Sequence, residues 1–562
     1  MSDPLRTRLP IAGVRFSFPI TLIALASLFA RTAGPVGAAE QPTTGTLKVM
    51  IVDEAGNPLP ARVHLRDAEG RYLFASGQSS RQRAVYKGTQ PVAGDWFYTA
   101  GDLTIDVIPG PATIDIAHGP AFATAHEVVP IVAGKTVEKT YTLKRLIDPA
   151  AAGWYSADEH LHQPPDGALM LAEDLNLAAI PICGGVDLRY HPDQRLAQLP
   201  DATHLLVSQI PAVEWDCFLW NLPKPLALRL GDQDWPQEDG ATSDRPGGSN
   251  DLRTLFIVRT PFLIEQAHAA GATTIAYMHD PPRLWYYPLY VANGWIDVYG
   301  VLENAYCSTA NRGEGEFWRG FDGASGNFAI WYRFLNCGYR LPASAGTDNI
   351  GMGVGVWKGY NRVYAKVDGP LTVENFLAAL KRGCSFVTNR PLLFATVGGK
   401  EPGSEIALTS GGPAQGAPPM LEVDVHAVSA TPIFRIDLLH QGRVLKRLDV
   451  DPPSGEVRRK ESVAIPGSGW LAVRCFGRGD NPNLSPAWAL AHTSPFYVIV
   501  DGRPIRSPED AHYFHTQFSA FVERALPRVK NDMIRQSLEA KCRAALAKYA
   551  AQAEGKEPEV KP

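Results

Sequence analysis

The chain has 562 residues, of which 45% are hydrophobic and 20% are charged, and its net charge at pH 7 is −4. This composition excludes a disordered chain, and the length predicts three or four domains. Because the chain is slightly acidic and no cluster of lysines and arginines stands out, we expect no nucleic acid as a partner.

The first 39 residues carry the three parts of a secretory signal peptide. Arg6, Arg8 and Arg15 supply positive charge, an apolar run begins at Phe16, and Gly37-Ala38-Ala39 has the small residues of a cleavage site. The apolar run is shorter than the roughly 20 residues that a membrane-spanning helix needs. We therefore expect cleavage of residues 1–39, no integral membrane segment afterwards, and a periplasmic or secreted protein.

Seven cysteines are spread along the chain at wide intervals. None forms a Cys-x-x-Cys pair, which excludes a zinc ribbon. One or two disulfides would be compatible with export, but their pairing is open.

Residues 46–145 are predicted to be all-β. A strand over residues 46–52, turn residues from Asp53 to Pro58 and an alternating strand over residues 61–66 follow one another. This order resembles the transthyretin-like or carboxypeptidase-regulatory-like β-sandwich, to which we assign no chemistry. His64 and His118 are interpreted as surface residues of this domain.

Strands and helices alternate through residues 150–398, which predicts an α/β domain with parallel strands. The predicted strands cover residues 153–159, 178–182, 204–210, 273–278, 296–302 and 341–346, and the predicted helices cover 169–175, 251–270 and 371–382. Nearly every strand ends next to a histidine or an acidic residue. Because the carboxyl ends of the strands in a parallel barrel meet at one mouth, these residues are expected to share a site.

The first of these strands runs into His160 and His162. Residues two apart on a strand point to the same face, so both imidazoles are expected to face one divalent metal ion. The alternative is two unrelated histidines in an exposed loop.

Three blocks of this domain carry a specific resemblance. Residues 154–162 (Trp-Tyr-Ser-Ala-Asp-Glu-His-Leu-His), 336–348 (ending Ala-Gly-Thr-Asp) and 382–393 (Arg-Gly-Cys-Ser-Phe-Val-Thr-Asn-Arg-Pro-Leu-Leu) resemble the polymerase and histidinol phosphatase (PHP) metallohydrolase superfamily. They most resemble its exported, carbaryl-hydrolase-like (CehA/McbA-type) branch. The resemblance implies a distorted (β/α)7 barrel flanked by β-sandwich modules.

The resemblance also implies which residues hold the metal. The first ion would be bound by His160, His162, Glu214 and Asp348, a set of imidazoles and carboxylates that suits Zn, Mn or Fe. Asp216 is a rival to Glu214. His279 matches a histidine of a second metal site, and the alternative is a buried histidine bonded to the backbone.

The sequence departs from the family where further ligands are expected. The family has Thr-Asp-His after its second strand, where this chain has Pro-Ile-Cys at residues 181–183, and Ile350 stands where the family has a histidine after Asp348. We therefore expect one ion. Residues that can substitute as ligands are Asp166, Asp187, His191 and Glu303.

Two groups of residues are candidates for substrate contact. Trp285 and Tyr287 belong to an aromatic group that either lines a pocket for a sugar or aromatic ring or packs as a loop. Lys358 and Arg362 either contact an anionic group of the substrate or are solvated charges. The expected substrate is a small or saccharide-like molecule.

The end of the chain is predicted to hold a β-rich domain over residues 399–503 and helices over residues 507–553. Ser507 and Pro508 begin a helix, with an acid at the capping-box position. Pro527 separates helices over residues 508–526 and 528–552.

These features predict an exported metal-dependent hydrolase that uses a metal-activated water on an ester, amide, carbamate or phosphoester bond. His279 helps to bind metal or orients the substrate, and Asp280 or Glu303 takes the proton. The alternative is a non-catalytic secreted binding or scaffold protein on a degenerate barrel.

Overall fold

The computed structural model describes residues 44–82, 94–161, 167–182, 205–213, 217–222, 252–277, 287–303, 327–348, 356–410, 418–529 and 531–556. Every element, contact and absence reported below concerns these residues, and the predicted signal peptide lies outside them.

The N-terminal region is all-β, as predicted, and its strands form two sheets. The strands are β1 (Gly45–Val52), β2 (Ala61–Arg66), β3 (Tyr72–Leu73), β4 (Ser79–Gln82), β5 (Trp96–Thr99), β6 (Asp102–Val107), β7 (Gly110–Ala117), β8 (Ala125–Ile131) and β9 (Thr136–Thr142). One sheet has the order β6-β1-β9, and the other has the order β4-β5-β2-β7-β8 with β3 beside β2.

The remaining strands belong to one continuous sheet. Its first part contains β10 (Trp154–Asp158), β11 (Leu177–Ile182), β12 (Leu205–Val213), β13 (Cys217–Trp220), β14 (Thr273–Tyr277), β15 (Val298–Glu303), β16 (Ala343–Gly346), β17 (Arg362–Lys366) and β18 (Ser385–Thr388). Its second part contains β19 (Leu392–Val397), β20 (Glu405–Leu408), β21 (Met420–His440), β22 (Arg443–Ala464), β23 (Gly469–Arg478), β24 (Trp488–Thr493) and β25 (Phe496–Val500).

Helices connect and cover these strands. They span Gly167–Ala172, Leu252–Ala269, Tyr287–Ala292, Asn327–Asn336, Val373–Arg382, Pro508–Ala525 and Asp532–Ala553. The terminal pair confirms the predicted division near Pro527, and the Ser507 side chain accepts a hydrogen bond from the backbone N–H of Asp510 at the predicted start. None of the helices in the described ranges is long and apolar enough to cross a bilayer.

The six strands predicted between residues 150 and 398 are present as β10, β11, β12, β14, β15 and β16. β11 lies between β10 and β12 and is parallel to both. In the same way, β15 lies between β14 and β16 and is parallel to both. Between these two groups lies β13, which was not predicted and is antiparallel to both of its neighbours. Only three residues separate β12 from β13, which is too few for a parallel crossover. The (β/α)7 barrel implied by the resemblance stays a prediction.

The C-terminal strands are continuous with this α/β region. β18 pairs with β24, so the sheet crosses the boundary predicted between residues 398 and 399. The N-terminal and C-terminal strands also share one hydrophobic core, in which Leu47 and Val63 belong to the same cluster as Val423 and Ile436. The predicted domains are therefore packed as parts of one body.

The five described cysteines are all free thiols, so no disulfide joins the described parts of the chain. They are Cys217, Cys337, Cys384, Cys475 and Cys542.

Candidate active site

The candidate site lies where three strands end beside one another. His160 follows β10 by two residues, Glu303 is the last residue of β15, and Asp348 follows β16 by two residues. Glu303 pairs in register with Gly346, and the backbone N–H of Asp348 donates to the carbonyl of His160 at 2.8 Å. These three residues, each at or just after the end of a strand, therefore lie beside one another.

The imidazole of His160 lies between two carboxyl groups. Its Nδ1 is 3.3 Å from Oε2 of Glu303, and its Nε2 is 3.1 Å from Oδ1 of Asp348. The ring is fully buried and meets the ring of Phe218 edge to face, with the centroids 4.9 Å apart. A neutral imidazole has one N–H, so it can donate to only one of these carboxylates. The other nitrogen then faces an anionic oxygen, and a proton or a cation between them would stabilise the contact.

A second carboxyl group lies against this arrangement. Burial raises the pKa of Glu159 to about 7. Burial and then the negative charge of Glu159 raise the pKa of Glu303 well above its usual range. The Oε2 of Glu159 accepts a hydrogen bond from the Ser344 hydroxyl, whereas Oε1 of Glu159 and Oε1 of Glu303 have no hydrogen-bond partner among the described residues. Two buried carboxyl groups this close hold a shared proton or contact a cation.

Asp158 is the structural carboxylate of the site. It accepts hydrogen bonds from the backbone N–H and hydroxyl of Thr347 at 2.9 and 2.6 Å, from the N–H of Gly359 at 2.7 Å and from the N–H of His160 at 3.2 Å. Burial raises its pKa to about 6 in spite of these bonds. Because all four contacts donate to its oxygens, they favour the ionised carboxylate, and Asp158 fixes the backbone on both sides of the His160–Asp348 contact.

Backbone geometry makes the close approach possible. Asp348 has φ of +52°, a left-handed conformation that is uncommon for residues other than glycine and that is found at functional sites. A Cβ at Gly346 would come within 2.4 Å of the His160 Cβ and 2.9 Å of Glu303 Oε2. Gly346 thus lets the ends of β10, β15 and β16 meet.

A buried chain of contacts links the site to the N-terminal strands. Arg362 donates from Nε to the carbonyl of Gly359 at 2.7 Å and from Nη1 to the carbonyl of Glu173 at 2.9 Å. The carboxylate of Glu173 accepts from Nε of Arg62 at 2.8 Å and from the hydroxyl of Tyr98 at 3.2 Å. This chain of contacts holds Gly359, whose N–H binds Asp158.

These contacts correct several expectations. Arg362 and Lys358 are buried, and the guanidinium of Arg362 is bound to backbone carbonyls, so it is not a solvated charge. Tyr287 lies in a buried helix, with its ring centroid 5.8 Å from that of Tyr299, and packs in the core. Direct substrate contact by Arg362, Lys358 and Tyr287 stays a prediction.

The two N-terminal histidines predicted to lie at the surface are also buried. His64 accepts from Arg62 at 2.8 Å, and the Nδ1 of His118 lies 2.6 Å from the carbonyl of Pro60.

The strand expected to carry both site histidines ends earlier than predicted, at Asp158. Of the predicted site residues, His160, Glu303 and Asp348 are brought together. Five others lie outside the described residues: His162, Glu214, His279, Asp280 and Trp285. Tyr287, Lys358 and Arg362 are described and buried.

Four further residues of the site were not predicted from the sequence: Asp158, Glu159, Ser344 and Thr347. Two of them immediately precede His160, and Thr347 immediately precedes Asp348. Their position next to the predicted ligands was the available signal.

The residues present fit a divalent cation in part. The donor set of one imidazole and several carboxylates suits Zn, Mn or Fe, and the two carboxyl oxygens without partners lie in the same buried cluster. Within the described ranges, however, no three His, Cys, Asp or Glu side chains are arranged to hold a metal ion. A complete ligand set therefore needs residues from outside these ranges, where His162 and Glu214 lie.

Comparisons with known proteins leave the family open. No family model matches the chain, and no curated protein matches it. Among solved structures, the minor pilin GBS52 of Streptococcus agalactiae is 21% identical over 19% of this chain and 47% of the pilin, with a TM-score of 0.14. The β-glucuronidase of Parabacteroides merdae is 9% identical over 78% of this chain and 60% of the enzyme, with a TM-score of 0.16. This chain thus spans about half of the pilin and less than two thirds of the glucuronidase, and neither likeness carries an argument about fold or function.

Proposed function

We propose that the chain is an exported metal-dependent hydrolase that acts on an ester, amide, carbamate or phosphoester bond of a small or saccharide-like molecule. The observation that supports this proposal is the fully buried imidazole of His160, which lies 3.3 Å from Glu303 and 3.1 Å from Asp348 where three strands end. His160 and Asp348, together with His162 and Glu214, would hold one divalent ion.

The bound ion would supply a water of lowered pKa and polarise the oxygen of the scissile group. The protein's own residues have distinct tasks. Asp158 fixes the backbone of His160 and Thr347, so the imidazole does not have to reorganise when a ligand binds. Burial raises the pKa of Glu303 well above its usual range, which favours a carboxyl group that holds a proton and can exchange it with the substrate or water. Asp280 is the rival candidate for this proton transfer.

Metal content and hydrolysis of the purified protein test the proposal together. We expect about one equivalent of Zn, Mn or Fe by elemental analysis, and turnover of at least one substrate in a panel of chromogenic esters, carbamates and phosphoesters. His160→Ala should lose both the metal and the turnover. The control is His126→Ala, because the His126 side chain is 55% exposed and bonded to Asp115 in the N-terminal sheet, away from the site.

The result that would overturn the proposal is a metal-free protein whose His160→Ala variant behaves like the parent. That result, without turnover, would favour the non-catalytic binding or scaffold protein. The absence of three assembled ligands among the described residues motivates this second candidate. Export is tested separately by sequencing the N-terminus of the protein recovered from the periplasm, where Glu40 is the expected first residue.

A further inference from the structure

Arg390 is a buried cation to which the candidate site gives no role. It lies in the short connection between β18 and β19, and its side chain is almost fully buried. Its Nη1 donates to the carbonyl of Gly119 at 3.1 Å. Its Nε and Nη2 have no hydrogen-bond partner among the described residues. These two nitrogens form one edge of the guanidinium, with parallel N–H bonds that match two oxygens of a carboxylate or phosphate.

Two other arginines lie close enough to Arg390 to act on its charge. Burial lowers the pKa of Arg390 to about 10, and the next largest cause is the charge of Arg62, with Arg362 acting in the same direction. Glu173 opposes them, but its carboxylate already accepts hydrogen bonds from Arg62 and Tyr98. His64 adds no charge, because burial keeps its pKa well below the usual range. An anion beside Arg390 would offset the repulsion between it and these two arginines.

Arg62 contributes a further donor at the same junction. The carbonyl that binds Arg390 belongs to Gly119, where a Cβ would come within 2.9 Å of the carbonyl oxygen of Glu173. Arg62 binds the side chain of Glu173, and its guanidinium stacks on the ring of Trp357, 3.5 Å from the ring centroid. Nη2 of Arg62 has no hydrogen-bond partner in the described ranges. The buried guanidiniums of Arg390 and Arg62, each with N–H groups that have no partner among the described residues, therefore lie at the junction of Gly119 with Glu173.

The connection that carries Arg390 is held rigidly. The N–H of Arg390 donates to the hydroxyl of Thr388 at 2.9 Å, and that hydroxyl donates to the carbonyl of Pro391 at 2.5 Å. The side chain of Asn389 donates to the carbonyl of Trp488 at 3.0 Å and accepts from the N–H of Leu490 at 2.7 Å. A ligand of this edge would meet donors that are already ordered, which lowers the entropic cost of binding.

We propose that Arg390, assisted by Arg62, binds a small oxyanion in a buried site at the junction of the N-terminal strands with the connection between β18 and β19. The shared chemistry is a pair of anionic oxygens, as in phosphate, sulfate or a carboxylate. An unpaired buried guanidinium edge is costly, so the anion is a structural ligand that stabilises this junction. The proposed anion site shares no residue with the metal site proposed at His160.

The test uses the full-length mature protein and inorganic phosphate as the probe. Calorimetric titration at constant ionic strength should give saturable binding of one phosphate per chain, with sulfate and formate competing. Thermal unfolding should shift upwards with phosphate. Arg390→Lys keeps a positive charge but removes the planar edge, and should weaken binding at least about tenfold. Arg447→Lys is the matched control, because its side chain is 51% exposed and pairs with Asp437 elsewhere.

His160→Ala separates this site from the proposed metal site. Phosphate binding that persists in His160→Ala and falls in Arg390→Lys supports the proposal. Binding that is lost in His160→Ala and unchanged in Arg390→Lys overturns it, and so does the absence of saturable binding.

An anion that stays bound through purification would block the titration with phosphate. Ion chromatography of the denatured protein detects such an anion. That measurement should find close to one phosphate, sulfate or carboxylate per chain. If Arg390→Lys does not fold, the proposal is tested by the bound-anion content and the phosphate titration of the parent protein and of His160→Ala. A protein that neither carries nor binds such an anion means that water satisfies the edge of Arg390.

Discussion

His160 and Asp348 contact each other twice, through their side chains and through their backbones. The Nε2 of His160 lies 3.1 Å from Oδ1 of Asp348, and the N–H of Asp348 donates to the carbonyl of His160 at 2.8 Å. The backbone bond fixes the spacing of the two chain segments, and the left-handed conformation of Asp348 directs its side chain to the imidazole. The side-chain contact is therefore built into the fold of both segments.

Replacing Glu303 by glutamine should weaken metal binding without destabilising the metal-free protein. Burial and the charge of Glu159 raise the pKa of Glu303 and so favour its protonated form when no cation is present, and a neutral amide of the same shape therefore costs little. The lost carboxylate beside Nδ1 of His160 should lower metal affinity about 10- to 100-fold. Competition with a chelating dye measures the affinity, and Glu138→Gln, on an exposed strand, is the control. Unchanged affinity in Glu303→Gln would place Glu303 outside the metal environment.

Gly346→Ala should destabilise the protein and disturb the site. The added Cβ would come within 2.4 Å of the His160 Cβ, so β10 or β16 must shift. Overpacking of this kind costs about 1–3 kcal/mol in the free energy of unfolding, which urea denaturation measures. Gly467→Ala is the matched control, since its Cβ would meet nothing within 4 Å. Equal stability of the two variants would contradict the close approach of β10 to β16.

Arg362→Lys should lower both stability and metal affinity. Lysine cannot donate to the carbonyls of Gly359 and Glu173 in the geometry of the guanidinium, and we expect a loss of about 2 kcal/mol. Gly359 would then be held less firmly against Asp158, which positions His160. Arg382→Lys, at a half-exposed pair with Asp368, should change stability by less than about 0.5 kcal/mol. A variant with normal stability and metal affinity would show that this chain of contacts is dispensable.

His492 should make the protein less stable as the pH falls below about 6.5. Its Nε2 accepts from the hydroxyl of Tyr332 at 2.7 Å, and burial lowers its pKa to about 3. The unfolded chain takes up a proton at His492 near pH 6.5 and the folded protein does not. The contribution of neutral His492 to the free energy of unfolding is therefore fully present above pH 6.5. It decreases at lower pH until about pH 3.

Between pH 7 and pH 5.5 the contribution of His492 corresponds to about 1 kcal/mol. Urea denaturation gives the free energy of unfolding of the parent and of His492→Gln at both pH values. The contribution of His492 is the amount by which the parent loses more stability than His492→Gln between pH 7 and pH 5.5. Parallel pH dependence of the two proteins would mean that His492 is protonated in the folded state.

The sequence predicted features that depend on residues close together in the chain. The start of the last helix pair follows from Ser507, Pro508 and Asp510, and the structure confirms the cap. The six strands of the α/β region follow from the alternation of predicted strands and helices. The acidic residues at their ends are read directly from the sequence, which is why Glu303 and Asp348 were among the candidates. Glu159 was left out of the predicted site because neighbouring residues on a strand point to opposite faces, which would direct Glu159 away from His160. The strand ends at Asp158, so the alternation no longer applies there.

Features that depend on distant partners were not predictable in this way. Arg62 and His64 alternate in a strand like ordinary surface residues, but Glu173, Asn483 and Trp357 bury them. Arg362 is buried for the same reason, by carbonyls of residues 173 and 174. Single-sequence patterns contain no information on such pairings, because each partner lies more than a hundred residues away in the chain or in another sheet.

The pairing of β18 with β24 has a consequence for how the protein is made. Phe386 pairs with Thr493, so β18 has no partner on this edge until the later strand has been synthesised. At about 5–20 residues per second, the nascent chain leaves that buried, apolar edge uncovered for roughly 5–20 s. We expect a fragment that stops between these strands to leave the edge exposed and to aggregate, so the candidate site depends on a strand about a hundred residues further along the chain.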